Sequence, residues 1–264
     1  MSNPEQINNL TGFSEQSGKI LEEECLSSVN LKSYAENVKD YLVKKKMIEL
    51  AGVNYKQLLH RNKEEYLRLK DQAGKEAQKT VSAMVLTDRH RTFFNPSDPQ
   101  EMEDICGIIE RSQSFPDPTN PRAQFANDLL SRILARTSLQ PGDLEYFSAV
   151  ESNLDSFGID GFFKLNTIKY TDHNDQEKSV RAFFDLTSDS VEGKTKKLDE
   201  KKAAKGKYLA DEVLYLTGAE HYNREEHAEQ INLFSKQIIQ ALNQHIQELK
   251  SQKVHIIRKR KEAA

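Results

Sequence analysis

The stretch that decides the fold runs from Ser156 to Asp189 and reads SFGIDGFFKLNTIKYTDHNDQEKSVRAFFDLTSD. It contains two alternating apolar runs, Ile159–Tyr170 and Val180–Thr187, on either side of a polar segment at residues 172–175. Apolar alternation with a period of two, interrupted by turn-forming residues, is typical of a β-hairpin. We therefore predict two antiparallel strands joined by a short polar loop.

This hairpin is expected to bring two aspartates close together. With the turn centred on residues 173 and 174, Asp160 lies opposite Thr187. In the same register, Asp185 lies opposite Phe162. The two acids are then diagonal neighbours on one face, about 7–8 Å apart at the backbone, which is close enough to converge on one cation. The other face is apolar and is predicted to be buried; it carries Ile159, Phe163, Leu165, Ala182, Phe184 and Leu186.

The composition is that of a highly charged, water-exposed protein. Charged residues make up 30% and hydrophobic residues 37% of the 264 residues, and the net charge is -3. No apolar run approaches the roughly 20 residues that a transmembrane helix needs, and the first residues lack the pattern of a secretory signal. We therefore expect a cytoplasmic protein without a membrane span. Cys25 and Cys106 are too few and too far apart to indicate a disulfide framework or a zinc site.

Helical periodicity dominates the first part of the chain. Apolar residues recur at helical spacing in Tyr34–Leu50, Tyr55–Leu86 and Gln100–Arg111, which predicts a helical N-terminal region over residues 1–115. The proline-rich segment Phe115–Pro121 predicts a linker. Residues 116–264 are then expected to form a second, α/β domain.

The second domain is predicted to mix helices with a small sheet. Helices are expected at Arg122–Arg136 and Asp143–Leu154 before the hairpin, and at Val191–Lys205 and Arg224–Lys250 after it. A third strand is expected at Asp211–Thr217. The predicted fold class is therefore α/β and rich in helix, with a small mixed β-sheet flanked by helices and the core order α-β-β-α-β-α.

The placement of the two acids resembles the PD-(D/E)XK nuclease-like core, over roughly Asp143–Thr217. The first acid of that family matches Asp160, in the sequence GIDG, and the second matches Asp185, in the sequence FFDLT. In the family these two acids hold magnesium and an acid on a helix often assists. The resemblance implies a restriction-endonuclease-like core in which Asp160 and Asp185 bind Mg²⁺, with Glu151 or Glu145 as the helix acid.

The chain departs from the family pattern at one catalytic position. The family places a lysine two residues after the second acid, where it handles the attacking water, but this chain has Thr187 there. The resemblance implies that Lys194, Lys196 or Lys197 fills that role. Magnesium prefers oxygen ligands and keeps several waters, so two carboxylates suffice when substrate phosphate adds further oxygens.

Two basic clusters indicate a nucleic-acid partner. One lies in the predicted helix after the hairpin and comprises Lys201, Lys202 and Lys205; the other lies near the C-terminal end and comprises Arg258, Lys259, Arg260 and Lys261. Such clusters neutralise phosphates and give salt-dependent binding. The alternative interpretation is a solvated helix face and a frayed tail.

Two functions of different classes follow from these patterns. The first is a magnesium-dependent phosphodiesterase, endonuclease-like, or a protein that binds nucleic acid without cleaving it. The second is a non-catalytic interaction protein whose long helices, Tyr34–Leu86 and Arg224–Lys250, bind a helical protein partner while the sheet serves as a scaffold. In that case Asp160 and Asp185 are turn and capping residues.

Overall fold

The computed structural model describes residues 22–86, 93–95, 98–171, 177–187, 210–216, 221–251 and 255–258. Helices and strands are mixed in these residues and helix predominates, so the fold class is α-rich α/β. The chain divides into two compact units. The helical unit comprises Val29–Gln113 and Glu151–Asn153, and the sheet unit comprises the described parts of Met1–Ser28, Ser114–Val150 and Leu154–Ala264.

The helical unit contains helices α1 (Leu31–Ala51), α2 (Tyr55–Arg61), α3 (Lys63–Leu86) and α4 (Pro99–Arg111). The N-terminus of α1 is capped by Asn30, whose side chain accepts a hydrogen bond from the Ser33 N–H at 3.0 Å. The helix ends at Gly52, where a φ of 78° favours glycine. Helices α1 and α3 pack together around Met47, Leu69 and Ala73.

The single helix predicted over Tyr55–Leu86 is broken into α2 and α3 at Asn62. The Asn62 N–H donates to the Leu58 carbonyl at 2.7 Å, which closes the last turn of α2. The Asn62 side chain accepts a hydrogen bond from the Glu65 N–H at 3.1 Å, which caps the first turn of α3. Asparagine is a favoured N-cap because its side-chain oxygen replaces a missing helical acceptor.

Tyr34 of α1 holds the short segment Glu151–Asn153 in the helical unit. Its hydroxyl donates to Asn153 Oδ1 at 2.8 Å and accepts a hydrogen bond from the Asn153 N–H at 3.0 Å. Both residues are buried, so these bonds replace water at polar groups that folding removes from solvent. Burial also raises the pKa of the Tyr34 hydroxyl, which therefore stays protonated.

Replacing Tyr34 with phenylalanine tests this anchor. We expect Tyr34→Phe to lower the free energy of unfolding by about 1–2 kcal/mol, because one buried donor and one buried acceptor are removed. Urea unfolding measures the change. Tyr66→Phe is the matched control: Tyr66 is half-buried and its hydroxyl makes no hydrogen bond within the described residues. Equal losses in the two variants would contradict the assigned role of Tyr34.

The sheet unit contains helix α5 (Gln124–Arg136), strands β1 (Leu144–Ser148), β2 (Gly161–Thr171), β3 (Glu177–Thr187) and β4 (Glu212–Tyr215), helix α6 (Ala228–Ser251) and strand β5 (His255–Arg258). The strand order is β1-β2-β3-β4. The first three strands are antiparallel, and β4 is parallel to β3. Strand β5 pairs antiparallel with residues 168–171 of β2.

One face of the sheet forms the core of this unit, together with α5 and α6. The apolar face predicted from the alternation is confirmed: Phe163, Leu165, Ala182, Phe184 and Leu186 all lie in this core. Ile159, which precedes β2, is buried outside this cluster. The predicted hairpin is confirmed as β2 and β3, and the predicted third strand as β4. The last predicted helix corresponds to α6.

The helix predicted at Asp143–Leu154 is wrong, because this segment contains β1. Leu144 and Tyr146 are buried on the core face, which is the alternation of a strand. Pairing with β2 and a hydrogen bond from the Tyr146 N–H to the Pro118 carbonyl at 2.9 Å hold the strand on both sides. These tertiary contacts outweigh local helix propensity. The helix predicted at Val191–Lys205 lies outside the described residues.

Gly161 begins β2 where two aromatic residues leave no room for a side chain. A Cβ at this position would lie 2.7 Å from Phe184 Cζ and 3.2 Å from the Phe147 carbonyl oxygen. Phe184 is fully buried, so its ring has no space to move into. The close approach of β2 to β3 at this point therefore requires glycine.

The variant Gly161→Ala tests that requirement. We expect it to lower the free energy of unfolding by about 1–3 kcal/mol, because the added methyl overpacks the core. The matched control is Gly74→Ala, in the middle of α3, where an added Cβ meets nothing within 4 Å. There we expect a gain of about 0.5–1 kcal/mol, since alanine is the better helix former. A neutral Gly161→Ala in urea unfolding would contradict the packing argument.

Candidate functional site

Strands β2 and β3 pair in a register that differs from the predicted one. Near Asp160, Phe162 pairs with Phe183 instead of Asp185, a shift of two residues. The cause is an irregularity between Leu165 and Lys169, where β2 has extra residues without partners on β3. A β-bulge of this kind cannot be located from a hairpin turn alone. At this end of the hairpin the shift is even, so each side chain keeps its predicted face. At the turn end Lys169 pairs with Ser179 instead of Lys178, a shift of one residue.

The corrected register brings Asp160 and Asp185 to the same end of the ladder. Gly161 and Phe184 form the last pair at this end, so the two aspartates are the next residues along their strands. They are 4% and 2% exposed. The predicted diagonal arrangement, with Asp185 opposite Phe162, is therefore wrong; the two acids are instead the residues directly beyond the Gly161–Phe184 pair.

The Asp160 carboxylate is fixed by the backbone of β3. Its Oδ2 accepts a hydrogen bond from the Leu186 N–H at 2.7 Å. That N–H belongs to the peptide bond that follows Asp185, so the carboxylate lies against the backbone of the second acid. The Asp160 N–H donates to the Phe184 carbonyl at 2.9 Å, and its own carbonyl accepts from the Ala149 N–H at 2.8 Å. Asp160 thus connects β3 and the residue after β1 at the start of β2.

The turn before β2 sets the position of Asp160. A short 3₁₀ helix, Asp155–Phe157, ends at Gly158, which has a φ of 73°. This left-handed conformation favours glycine and turns the chain into the strand. The Ile159 N–H donates back to the Leu154 carbonyl at 3.2 Å, which closes the turn. The turn therefore explains why Gly158 is a glycine.

Aromatic and basic side chains lie on the face of the sheet opposite the core. Phe147, Phe162 and Phe183 form a row across β1, β2 and β3, with neighbouring ring centroids 5.3 and 5.6 Å apart. Lys164 Nζ lies 5.7 Å from the centroid of the Phe147 ring, and the Arg181 guanidinium lies 5.7 Å from that of Phe162. Sequence reasoning missed Lys164 and Arg181, although alternation along the strands places them on the face of Phe162 and Phe183.

The expectation of a helix acid is wrong. Glu145 lies in β1, where it pairs with Lys164. Glu151 lies in a turn of the helical unit, with a φ of 66° that is unusual for a residue other than glycine. Within the described ranges, no group of three or more histidine, cysteine, aspartate or glutamate side chains is placed to hold a metal ion.

Most of the predicted basic residues lie outside the described residues; these are Lys194, Lys196, Lys197, Lys201, Lys202, Lys205, Lys259, Arg260 and Lys261. Arg258 is the last residue of β5 and pairs with Ile168 of β2. Thr187, which occupies the family's lysine position, is buried at the end of β3 and pairs with Tyr215 of β4. Its carbonyl accepts a hydrogen bond from the Leu216 N–H at 2.9 Å.

Burial keeps two neighbouring groups of the sheet unit in their neutral forms. The pKa of Tyr146 is raised well above its usual value by burial, and the charge of Asp160 raises it further. The Tyr146 hydroxyl therefore stays protonated and donates to the Leu26 carbonyl at 2.9 Å. Burial, with the charges of two nearby glutamates, raises the pKa of Cys25 to about 12. The Cys25 thiol is consequently a poor nucleophile at neutral pH.

Asp211 and His245 cover the edge of β3 that β4 leaves open. The Phe183 N–H donates to Asp211 Oδ2 at 2.7 Å, and the Asp211 N–H donates to the Phe183 carbonyl at 2.8 Å. His245 Nδ1 donates to the Arg181 carbonyl at 3.0 Å. These bonds occupy backbone groups that would otherwise be open to another strand. Burial raises the pKa of Asp211 and also that of Glu212, the next residue.

The raised pKa of Glu212 predicts that replacing its carboxyl with a neutral group stabilises the fold in a pH-dependent way. A carboxyl whose pKa is higher in the folded state favours folding at low pH, and this contribution is lost as the pH rises through the folded pKa. We therefore expect Glu212→Gln to raise the melting temperature at pH 7. The advantage should shrink as the pH falls toward 4. Thermal unfolding across this range measures it, and a difference that does not change with pH would contradict the prediction.

Comparison of the chain with protein-family models, with curated proteins and with solved structures finds no match. None of the described helices has the length and hydrophobicity that crossing a membrane requires. The assignment of a function therefore depends on the arrangement of side chains in the sheet unit.

Proposed function

We propose that the sheet unit is a nuclease-like phosphodiesterase that binds magnesium through Asp160 and Asp185 and acts on nucleic acid. The observation that supports the proposal is the β2–β3 register, in which Asp160 and Asp185 are the residues next to the last pair, Gly161 and Phe184. The proposal includes a restriction-endonuclease-like core around this hairpin, with β1 in the place of the helix predicted before it.

The donor set fits magnesium. Two carboxylates offer hard oxygen ligands, and magnesium is commonly bound by one or two carboxylates with waters and substrate phosphate completing its shell. The hydrogen bond from the Leu186 N–H fixes the orientation of the Asp160 carboxylate, as outer hydrogen bonds do for metal ligands. A bound magnesium ion would lower the pKa of a coordinated water and offset the charge of the attacked phosphate.

The remaining roles belong to cationic side chains. Thr187 cannot supply the positive charge that the family's lysine provides, so this proposal gives that role to Lys194, Lys196 or Lys197. Two clusters would neutralise the nucleic-acid backbone; they comprise Lys201, Lys202 and Lys205, and Arg258, Lys259, Arg260 and Lys261. Binding through these clusters should weaken steeply as salt is added.

A second candidate function is a non-catalytic interaction protein. Asp160 already serves the fold by accepting the Leu186 N–H, which is the capping role expected of a structural aspartate. In the helical unit, large apolar side chains are exposed: Val53 at 81%, Leu59 at 39% and Leu67 at 50%. Val53 lies in the turn before α2, Leu59 on α2 and Leu67 on α3. Exposed apolar surface of this kind suits a helical protein partner.

Cleavage assays on DNA and RNA, with and without magnesium, distinguish these functions. We expect cleavage that EDTA abolishes and that falls about 100-fold or more in Asp160→Asn and in Asp185→Asn, because a charged ligand is removed. In Asp160→Asn the asparagine keeps an oxygen that can accept the Leu186 N–H, and asparagine is close in size to aspartate at both positions. The unfolding midpoints of both variants verify that they fold. The control Asp71→Asn removes an exposed aspartate of α3 that pairs with Lys75.

The outcomes separate the candidates clearly. Cleavage retained in either sheet variant would remove the metal-site proposal. Salt-dependent nucleic-acid binding without cleavage would leave a binding protein with a degenerate core. Absence of both cleavage and nucleic-acid binding would favour the interaction protein.

A further inference from the structure

A cleft of about 340 Å³ lies in the sheet unit between α5, α6 and the loop that precedes α6. Two arginines, Arg132 of α5 and Arg224 of the loop, line it together with Asp128 and Tyr222. Ala135 and Ala228 also line the cleft, and their small side chains leave it open. None of these residues takes part in the aspartate site on the sheet.

Arg224 is held in a fixed orientation by Asp128. Its Nε donates to Asp128 Oδ2 at 2.9 Å, and its Nη2 donates to Asp128 Oδ1, so the pair is bidentate. The same carboxylate accepts hydrogen bonds from the Tyr222 hydroxyl and from Gln124 Nε2, each at 2.9 Å. Burial raises the pKa of Asp128 but these bonds lower it more, so the carboxylate is charged at neutral pH. A guanidinium has five N–H donors, and this pair uses two of them.

Arg132 supplies the uncompensated charge of the cleft. It lies four residues after Asp128, which places both on one side of α5. Its side chain is exposed and makes no hydrogen bond or ion pair with any described residue. Since Asp128 neutralises Arg224, the charge that remains at the cleft is the positive charge of Arg132.

We propose that this cleft binds the phosphate group of a phosphorylated ligand through Arg132 and Arg224, with Asp128 as a positioning residue. Guanidinium groups match phosphate oxygens in geometry and form strong charge-assisted hydrogen bonds with them. A cleft of about 340 Å³ is larger than a phosphate ion needs and falls at the lower end of small-molecule sites. It therefore has room for the group that carries the phosphate, which is either a small molecule of nucleotide size or a nucleic-acid strand.

Isothermal titration of the full chain with inorganic phosphate, adenosine monophosphate and a single-stranded oligonucleotide tests the proposal. We expect Arg132→Gln and Arg224→Gln each to weaken the binding of adenosine monophosphate about tenfold or more. Arg132→Gln is the decisive variant because Arg132 has no hydrogen-bond or ion-pair partner among the described residues, so its loss should not disturb the fold. Asp128→Asn should weaken binding less than Arg224→Gln does, since it frees Arg224 without removing its charge.

Arg136→Gln is the matched control. Arg136 lies one turn further along α5, bonds Asn232 at 3.2 Å and does not line the cleft. Its replacement should change the affinity less than about twofold, as expected for an exposed, solvent-screened charge outside the cleft. An equal loss in Arg132→Gln and Arg136→Gln would overturn the proposal, because binding would then follow net surface charge alone.

The three ligands also identify the source of the phosphate. If adenosine monophosphate binds at least as tightly as the oligonucleotide does per phosphate, the natural ligand is a small molecule. If the oligonucleotide binds more tightly and its binding weakens with salt, the ligand is a nucleic-acid strand. Either result supports a phosphate site if the binding is lost in Arg132→Gln. Failure of all three ligands to bind at about 10 mM would overturn the proposal. Because Asp185→Asn leaves the cleft intact, phosphate binding by that variant separates this test from the cleavage assay.

Discussion

The antiparallel pairing of β2 with β3 is the contact on which the sheet unit depends. Strand β2 also pairs with β1 and β5, and β3 also pairs with β4, so the other strands take their positions from these two. The pairing fixes which side chains enter the core and where the ladder ends. At that end Gly161 lies against Phe184, and the close approach it allows sets the positions of the residues beyond it, Asp160 and Asp185.

Much of the sheet could be predicted because a two-residue period records which face of a strand is buried. The alternation in Ile159–Tyr170 and Val180–Thr187 indicated the hairpin and its core face. It could not indicate the bulge between Leu165 and Lys169, since unpaired residues on one strand leave no periodic trace. The register could be predicted only from the position of the turn, and that register paired Phe162 with Asp185 instead of Phe183.

Other features depended on contacts distant in sequence. Strand β1 was predicted as a helix because its five residues are too few to establish a period, and pairing with β2 decides its conformation. Asn62 looks like any polar helix residue until both of its capping bonds are seen. Lys164 and Arg181, by contrast, could have been placed from alternation, since they share a face with the aromatic residues two positions away on their strands.

A structural role and a metal-binding role of Asp160 are compatible, because both require the carboxylate to be held in one orientation. A carboxylate that accepts a backbone N–H is held in one orientation, and metal ligands benefit from this kind of support. The hydrogen bond from Leu186 also draws that carboxylate against the backbone of Asp185, which a freely rotating side chain would not ensure. The same bond therefore joins the chain to β3 just before β2 begins and holds the Asp160 carboxylate against the backbone next to the second acid. Cation binding by the pair then depends on the negative charge of the carboxylates. Replacing Asp160 with asparagine removes that charge and keeps an oxygen that accepts the Leu186 N–H.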